Sequence, residues 1–500
     1  MSTFLGVDVG TTAVKALVAD AGGRVLSQAG MEYGYRQPRP RWAEQDAEDW
    51  WTCLKQVVGQ VVCELPEPPV AVALSTQGDT MVPVDAVGRP LLPARVWMDG
   101  RTGAQIERML GELPEAAWRE VTGTSPGEYC AAATLAWWAD EEAKVFGEAA
   151  RFCLVQDFLV GRMTGRYMVD ASNASRTCIY DLVGRDWSDR LAGVAGVGRE
   201  RLSETAESGT PVGTLTASAA AELGLPQSTL VVLGAHDQTA GAVGCGAVRP
   251  GTVMLATGTA WVVLGAAEKL HIDMRGRLQT YCHATRGGIA LLGAYAGGSL
   301  LRWARDNLSQ LADADASDYA GMVREAQAAE TSEHSPLVFL PYFYGTGPPL
   351  GQRDASGAII GLQLQHSRGD VYLALLRAVA AQTAAVLQTV KEVGHDVDEV
   401  RMIGGGAQSD YWAQLVADAH GHTVKLPAVS EAAAFGAAML AAVGAGQIGS
   451  AYDAADLVTL RAEKTPRPGM CTGGPAWQAR YAEALGETWG KLAAYRGWRQ

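Results

Sequence analysis

The opening segment Thr3–Val9, a short run rich in apolar residues, predicts a strand, which ends at the turn Gly10-Thr11-Thr12. Ala13–Asp20 predicts a second strand, and Gly22-Gly23 turn the chain into a third at Arg24–Gln28. The same layout returns past the middle. Thr252–Thr257 reads as a strand, Gly258-Thr259 as a turn and Trp261–Leu264 as the returning strand. Each half therefore opens on a hairpin whose turn is Gly-Thr, which reads as a weak internal duplication.

Between these openings the hydrophobic period switches between helix and strand. Asp46–Leu65 places Trp50, Leu54, Val57, Val58 and Val61 on one helical face. Ala131–Phe146, Asp370–Val390 and Ser409–His420 predict further helices, the last with Ser409 as N-cap and Gly421 just past its end. Val70–Leu74, Thr229–Leu233 and Glu399–Ile403 predict buried strands. Ala476–Arg499 predicts a final helix, preceded by a loop over 464–474. The alternation points to layered α/β architecture. The small, glycine-rich stretch Ala240–Gly251 suggests a domain boundary near residue 245, giving residues 1–244 and 245–500.

Composition narrows the function. The 48% apolar and 19% charged content describes a folded chain rather than a disordered one. A net charge of −13 argues against nucleic-acid or anionic-membrane partners, although backbone N–H nests hold phosphate in acidic proteins too. The eight cysteines include no C-x-x-C pair, so no disulfide framework is expected. The start, MSTFLGVDVGTT, shows no basic region ahead of an apolar core, and the segment Ala432–Gly446 is too rich in Ala and Gly to span a bilayer. The chain reads as cytoplasmic.

Several polar clusters sit where chemistry is done. Asp8 closes a strand beside the Gly10-Thr11-Thr12 turn, an arrangement suited to a hydrated Mg²⁺ carrying nucleotide phosphates. The matching turn Gly258-Thr259 suggests that two Gly-Thr turns clamp a polyphosphate across a cleft. Gly404-Gly405-Gly406-Ala407-Gln408-Ser409 joins a strand to a helix, where a ligand approaches the backbone closely. Asp237, in Gly234-Ala235-His236-Asp237-Gln238-Thr239, follows a strand and suits a base for a substrate hydroxyl, while His236 reads as a structural hydrogen-bonding group. Ser75-Thr76-Gln77-Gly78-Asp79 and Trp97-Met98-Asp99-Gly100-Arg101 offer amide, carboxylate, guanidinium and indole groups of the kind that bind polyhydroxyl ligands. Asp99 and Arg101 also read as a local ion pair.

Other chemistries lack their signatures. No G-x-x-x-x-G-K-[ST] run is present, and Gly444–Gly449 matches G-x-G-x-x-G only after a helix, without the required strand. His420-Gly421-His422 and Cys282-His283 lack the further ligands of a zinc site, and no G-x-S-x-G elbow occurs.

In order along the chain, D-x-G-T at 8–11, Gln77–Asp79, W-x-D-x-R at 97–101, Asp170–Ser175, H-D-Q-T-A-G-A-V-G at 236–244 and T-G-T at 257–259 resemble the FGGY carbohydrate kinases, especially the xylulokinase-like branch. L-P-Y-F at 340–343, Gly357–Leu362, G-G-G-A-x-S at 404–409 and E-A-A-A-F-G-A-A at 431–438 extend the resemblance. It implies an actin-like ATPase fold of two ribonuclease H-like domains around a central cleft, an ATP-dependent kinase acting on a small sugar, and by family habit a homodimer. The first domain would bind sugar and carry the phosphate hairpin, and the second would bind nucleotide. It further implies Asp237 as general base and Asp8 as the Mg²⁺ group. Thr11, Thr12, Lys15, Gly258, Thr259, Gly405, Gly406 and Ala407 would lie at the nucleotide. Gln77, Gly78, Asp79, Asp99, Arg101, Asp237 and Gln238 would lie at the sugar.

The chain departs from the pattern at several points. Xylulokinases typically read Gln-Met-His-Gly where Gln77-Gly78-Asp79-Thr80 stand, and an Asp there looks more like polyol kinases. Thr134 replaces a usual Lys, Arg377 a usual acidic residue, and Gly345-Thr346-Gly347-Pro348-Pro349 a usual charged segment. The implied substrate is a ketopentose such as xylulose, with a tetritol or glycerol-like polyol as the alternative. A sugar-binding regulator without turnover and an actin-like or chaperone-type ATPase are the readings from other classes.

Overall fold

The computed structural model describes residues 2–63, 65–308, 319–331, 337–343, 345–346, 349–351 and 355–468. The final helix expected over Ala476–Arg499 and most of the loop before it fall outside the described residues, as do Gly347 and Pro348. Two compact units form. The first comprises the described residues of Met1–Arg249, Ala266–Ala290 and Glu431–Thr459, and the second those of Pro250–Gly265 and Leu291–Ser430 with residues 460–468. By compactness the units are therefore not two consecutive halves.

In the first unit a six-stranded sheet runs in the order Pro211–Thr214, Leu230–His236, Ala71–Thr76, Thr3–Val9, Ala13–Asp20, Val25–Glu32. Thr3–Val9 pairs antiparallel with Ala13–Asp20, setting Asp8 opposite Lys15, and parallel with Ala71–Thr76, setting Asp8 opposite Ser75. Leu230–His236 lies parallel to Ala71–Thr76 on its other side, with His236 opposite Thr76. Three parallel strands thus end side by side at Val9, Thr76 and His236, and the carboxyl ends of parallel strands are where open α/β sheets hold ligands. The third strand of the meander runs on to Glu32, past the expected Gln28.

One face of this sheet packs on the helix Ala47–Val62, whose buried stripe includes Trp50, Leu54, Val57, Val58 and Val61 and whose N-cap Asp46 accepts the N–H of Glu48. Asp237–Cys245 and Ala432–Gly444 cross each other at small residues. A Cβ on Gly244 would lie 1.8 Å from the Ala432 carbonyl oxygen, and one on Gly436 would lie 1.9 Å from that of Ala240. The expected boundary stretch Ala240–Gly251 is therefore helical through Cys245. Gly244 allows the close backbone approach, Gly246 ends the helix in the left-handed region, and the opening segment of the first unit runs on to Arg249. The helix expected over Ala131–Phe146 breaks at Glu142 into Ala131–Glu141 and Ala143–Glu148, because Glu142 leaves helical geometry at φ −125° and ψ 39°.

The second unit repeats the hairpin-plus-parallel-strand arrangement. Gly251–Thr257 pairs antiparallel with Ala260–Ala267, with Thr257 opposite Trp261. It lies parallel to Val397–Ile403, which in turn pairs parallel with Thr423–Pro427. Leu460–Lys464 closes that edge antiparallel. Ser409 caps Asp410–His420 by accepting the N–H of Trp412, and Gly421 ends the helix in the left-handed region. The 25-residue helix Arg368–Glu392 starts on a Ser367–Asp370 capping box. By length and hydropathy it matches a membrane span, yet 83% of its most apolar window is buried in the fold, which makes it a core helix.

Candidate active site

Asp8 is the penultimate residue of the first strand, and burial pushes its carboxyl up to about 6, against the Ser75 hydroxyl and the Lys15 ammonium, which pull it down. Ser75 Oγ donates to Asp8 Oδ1 at 2.6 Å. The turn beyond it is braced by side chains. Thr11 Oγ1 donates to Gln77 Oε1 at 3.0 Å and accepts from Trp97 Nε1 at 2.9 Å, while Gln45 Nε2 donates to the Thr11 carbonyl at 2.7 Å. Tyr33 donates its hydroxyl to the Gly10 carbonyl. Thr12 is exposed. Lys15 forms an ion pair with Glu431 at 2.8 Å.

Asp237 begins the helix that leaves the strand Leu230–His236. Burial raises its carboxyl to about 7, and the negative charge of Asp8 adds to the rise; the backbone and side chain of Gln238 and the Arg176 charge act the other way. Its Oδ1 is buried without a hydrogen-bond partner and lies 3.3 Å from His236 Nε2. The burial of His236, with Arg176 nearby, drives its imidazole well below the ordinary range, so the ring is neutral at pH 7. The strand-to-helix turn is fixed from below. Asp170 accepts from the Ser172 hydroxyl at 2.5 Å and from Asn173 Nδ2 at 2.6 Å, and the Ser172 hydroxyl accepts the His236 N–H at 2.8 Å. Asp170–Ser175 is thus the support on which the Asp237 turn rests.

Asp79 adopts φ +57°, and Thr80 N–H closes a three-residue turn onto the Gly78 carbonyl at 2.7 Å. A non-glycine residue held this way is uncommon and marks a locally over-determined site. Burial raises the Asp79 carboxyl to about 6, opposed by Arg176 and the Ala131 amide. Gly78 leaves room for the His236 ring, since a Cβ there would lie 2.6 Å from its Cδ2. Around Asp79 and Asp237 several buried polar atoms have no partner: Asp79 Oδ1, Arg176 Nε, Gln238 Oε1 and the Tyr281 hydroxyl. Buried polar groups are normally hydrogen-bonded, so such a cluster points to a polar ligand.

The other expected sugar groups are already committed. Gln77 donates to Gln45 Oε1 at 2.9 Å and accepts from Thr11 and Thr80, so it works as a strut. Asp99, fully buried, is bound by Arg95 at 2.8 Å, by Arg101 at 2.6 Å and by the Ala43 N–H at 2.6 Å. Burial alone would raise its carboxyl, but Arg101 and Arg95 outweigh it and hold it low. Arg101 also pairs with Glu44 and stacks 3.4 Å above Trp42. Burial and mutual pairing thus engage both oxygens of Asp99, the residue expected with Arg101 at the sugar. Trp97 remains 40% exposed and meets Tyr129 edge-on at 6.3 Å. Thr134 is buried within its helix, and Arg377 faces Glu330 at 3.4 Å, so both departures carry structural contacts.

In the second unit a cavity of about 540 Å³ is lined by Thr257, Gly258, Thr259, Trp261, Gly405 and Gly406 among others. That volume suits a small-molecule ligand. Gly404 at φ +87° turns the chain, Thr257 Oγ1 donates to the Ile403 carbonyl at 2.5 Å, and it accepts the Ala407 N–H at 3.2 Å. Ala407 is buried behind this turn and is not among the residues that line the cavity. Trp261 and Trp412 pack with ring centroids 4.6 Å apart, giving the cavity an aromatic wall. A larger cavity of about 730 Å³ at Ser367–Val371 contains none of these turns.

The sequence reading did not single out Arg176, Tyr281, Gln45 or Tyr129. Arg176 directly follows the Asp170–Ser175 run, so its position was the available signal. Tyr281 and Gln45 are brought in by folding alone.

A buried carboxylate at a strand end and a glycine-walled cavity behind a Gly-Thr hairpin fit a phosphotransferase of the actin-like ATPase fold. Residues 3–244 match the N-terminal domain of the FGGY family of carbohydrate kinases and residues 253–445 its C-terminal domain. The chain belongs to that family and is an ATP-dependent sugar kinase. It is 30% identical to xylulose kinase of Escherichia coli (strain K12) over 88% of this chain and 90% of that one. It is 31% identical to glycerol kinase of Gloeobacter violaceus over 92% and 90%. The crystal structure of xylulose kinase from Rhodospirillum rubrum superposes with a TM-score of 0.88 at 29% identity, covering 99% of each chain.

Proposed function

We propose that the chain transfers the ATP γ-phosphate to a hydroxyl of a ketopentose such as xylulose. The observation that carries this reading is Asp237, a buried carboxylate held near 7 beside unpartnered hydrogen-bonding atoms. A base of that pKa is largely ionised just above neutrality and still strong enough to accept a hydroxyl proton as the nucleophile forms. The substrate oxygen bonds the γ-phosphorus, the bond to the bridging β–γ oxygen breaks, the proton passes to Asp237 and ADP leaves. The likeness to xylulose kinases supports the ketopentose.

Asp8 is proposed to hold Mg²⁺. Burial raises the Asp8 carboxyl more than Ser75 and Lys15 lower it, and its charge in turn raises Asp237, so a further cation beside Asp8 would offset both, which fits such an ion. Such an ion would be held mainly through water and phosphate oxygens. When bound, magnesium would neutralise phosphate charge. Residues 1–244 are proposed to carry the sugar site, with Thr11, Thr12 and Lys15 of its hairpin serving the nucleotide phosphates. Residues 245–500 are proposed to carry the rest of the nucleotide site, with Gly258, Thr259, Gly405 and Gly406 on the cavity wall and Ala407 behind it.

Asp79 favours a second reading within the same chemistry, a tetritol or glycerol-like substrate, as does the likeness to glycerol kinase. A coupled ADP-release assay with Mg·ATP across xylulose, ribulose, erythritol, threitol, glycerol and gluconate, with Asp237→Ala as control, separates the two. Turnover on a ketopentose, lost in the variant, supports the first. Preference for a tetritol or glycerol transfers the assignment, and ATP binding without turnover on any compound overturns both.

A further inference from the structure

Arg176 follows the helical segment Ala171–Ala174, within the short 3-10 turn Ser175–Thr177, and reaches the carboxylate of Asp79 from across the fold of the first unit. Its Nη2 donates to Asp79 Oδ2 at 3.1 Å and its Nη1 to Gln279 Oε1, while its guanidinium lies 5.2 Å from the centre of the Tyr281 ring. The aliphatic stem passes Gly78, whose missing Cβ would stand 3.8 Å from Arg176 Cγ. Tyr281 in turn meets His236 edge-on at 5.6 Å, and His236 adjoins Asp237. The two carboxylates of the site are thus joined through one continuous set of contacts.

We propose that Arg176 is a positioning residue that aims Asp79 at a substrate hydroxyl, and that the pocket accepts neutral polyhydroxyl compounds and excludes sugar acids. The inference rests on Asp237 being the base of a sugar kinase. Asp79 sits in a strained turn, with one oxygen pinned by Arg176 and the other buried without a partner. Neither feature persists unless the surroundings impose it.

The unpartnered atoms also specify what they bind. Asp79 Oδ1, Asp237 Oδ1 and Gln238 Oε1 accept, whereas Arg176 Nε and the Tyr281 hydroxyl can donate. A hydroxyl both donates and accepts and so satisfies either kind. A ligand carboxylate only accepts, and it would bring a third negative charge beside Asp79 and Asp237. The cation in contact with this cluster, Arg176, is already paired with Asp79, so that charge would enter uncompensated. Placing the acidic group of Asp79 against an anion therefore works as exclusion as much as its contact with a hydroxyl works as attraction.

The test compares erythritol with erythronate, glycerol with glycerate, and xylulose with gluconate, in the full chain with Mg·ATP. The parent enzyme is expected to turn over a neutral compound with kcat/KM at least about 100-fold above any acid. Arg176→Met should raise the sugar KM by about tenfold or more, with the ATP KM unchanged as the check on folding, and Arg176→Lys should recover part of the loss. In an Asp79→Asn background the same Arg176→Met change should add less than about twofold, because Arg176 acts through Asp79. Fully additive losses in that cycle overturn the positioning role. Preference for an acid overturns the substrate class and leaves the kinase reading standing. Silence on neutral and acidic compounds alike, with ATP still bound, overturns the kinase reading and this inference with it.

Discussion

The hydroxyl of Ser172 accepts the backbone N–H of His236 at 2.8 Å, one residue before Asp237. That hydroxyl is itself oriented by donating to Asp170, and the Thr239 hydroxyl lies 3.1 Å from it, so a buried polar triad holds the turn that carries Asp237. Replacing Ser172 with Ala leaves the His236 N–H without its acceptor and lets the turn shift. We expect kcat to fall by about 10- to 100-fold, the cost of a small misplacement of a catalytic group, with the ATP KM unchanged. Steady-state kinetics, with circular dichroism confirming the fold, checks it.

Asp237 must be ionised to accept a proton, and burial with the nearby Asp8 charge holds it at about 7. Activity should therefore rise with pH through about 7 and level off above it. A pH profile of kcat/KM for the sugar measures this, and an acid limb near the ordinary carboxylate value would contradict it. Asp237→Asn should lack measurable turnover at every pH.

Asp157 is a buried carboxylate outside the site, accepting from the Ser203 hydroxyl at 2.5 Å, with Oδ1 unpartnered. Burial raises it to about 7. A carboxyl raised in the folded state binds its proton more tightly there than in the unfolded chain. Its favourable contribution is present in full below the unfolded value and is lost as pH rises through about 7. Asp157→Asn should accordingly stabilise the protein at pH 8, by on the order of a few kcal/mol, and much less at pH 5. Thermal melts at the two pH values read the difference.

Thr257 braces the turn proposed for the nucleotide by donating to Ile403 and accepting from Ala407. Thr257→Val keeps its volume and removes both bonds. The ATP KM should rise by about tenfold, the effect of leaving buried backbone groups unpaired, while the sugar KM stays within about twofold. Kinetics with each substrate varied in turn decides.

The crossing of Asp237–Cys245 with Ala432–Gly444 depends on absent side chains. Gly436→Ala would put a Cβ 1.9 Å from the Ala240 carbonyl oxygen, far inside contact distance. Destabilisation by about 3 kcal/mol or more is expected, with loss of soluble protein, and urea unfolding measures it.

The two Gly-Thr hairpins, the helix Ala47–Val62, the helix Asp410–His420 with its caps, and the strand ends carrying Asp8 and Asp237 were legible in the chain, because each depends on local periodicity, capping and turn chemistry. The break at Glu142 was not, since an unbroken apolar period does not report where packing ends a helix. Nor was the role of Ala240–Cys245. Small residues read equally as a loop or as a close helix crossing, and only the partner helix Ala432–Gly444 distinguishes the two.

The sequence alone determined that this chain is α/β, that Asp8 and Asp237 sit beside strand ends, and that its ordered motifs place it among sugar kinases. Tertiary structure decided which polar groups remain open. Asp99 and Arg101 neutralise each other in the interior, whereas Asp79 keeps one oxygen unpartnered because Arg176, 97 positions away along the chain, holds the other. Whether a charged side chain is committed to a partner or left for a ligand depends on neighbours that only folding assembles, and local patterns carry no record of them.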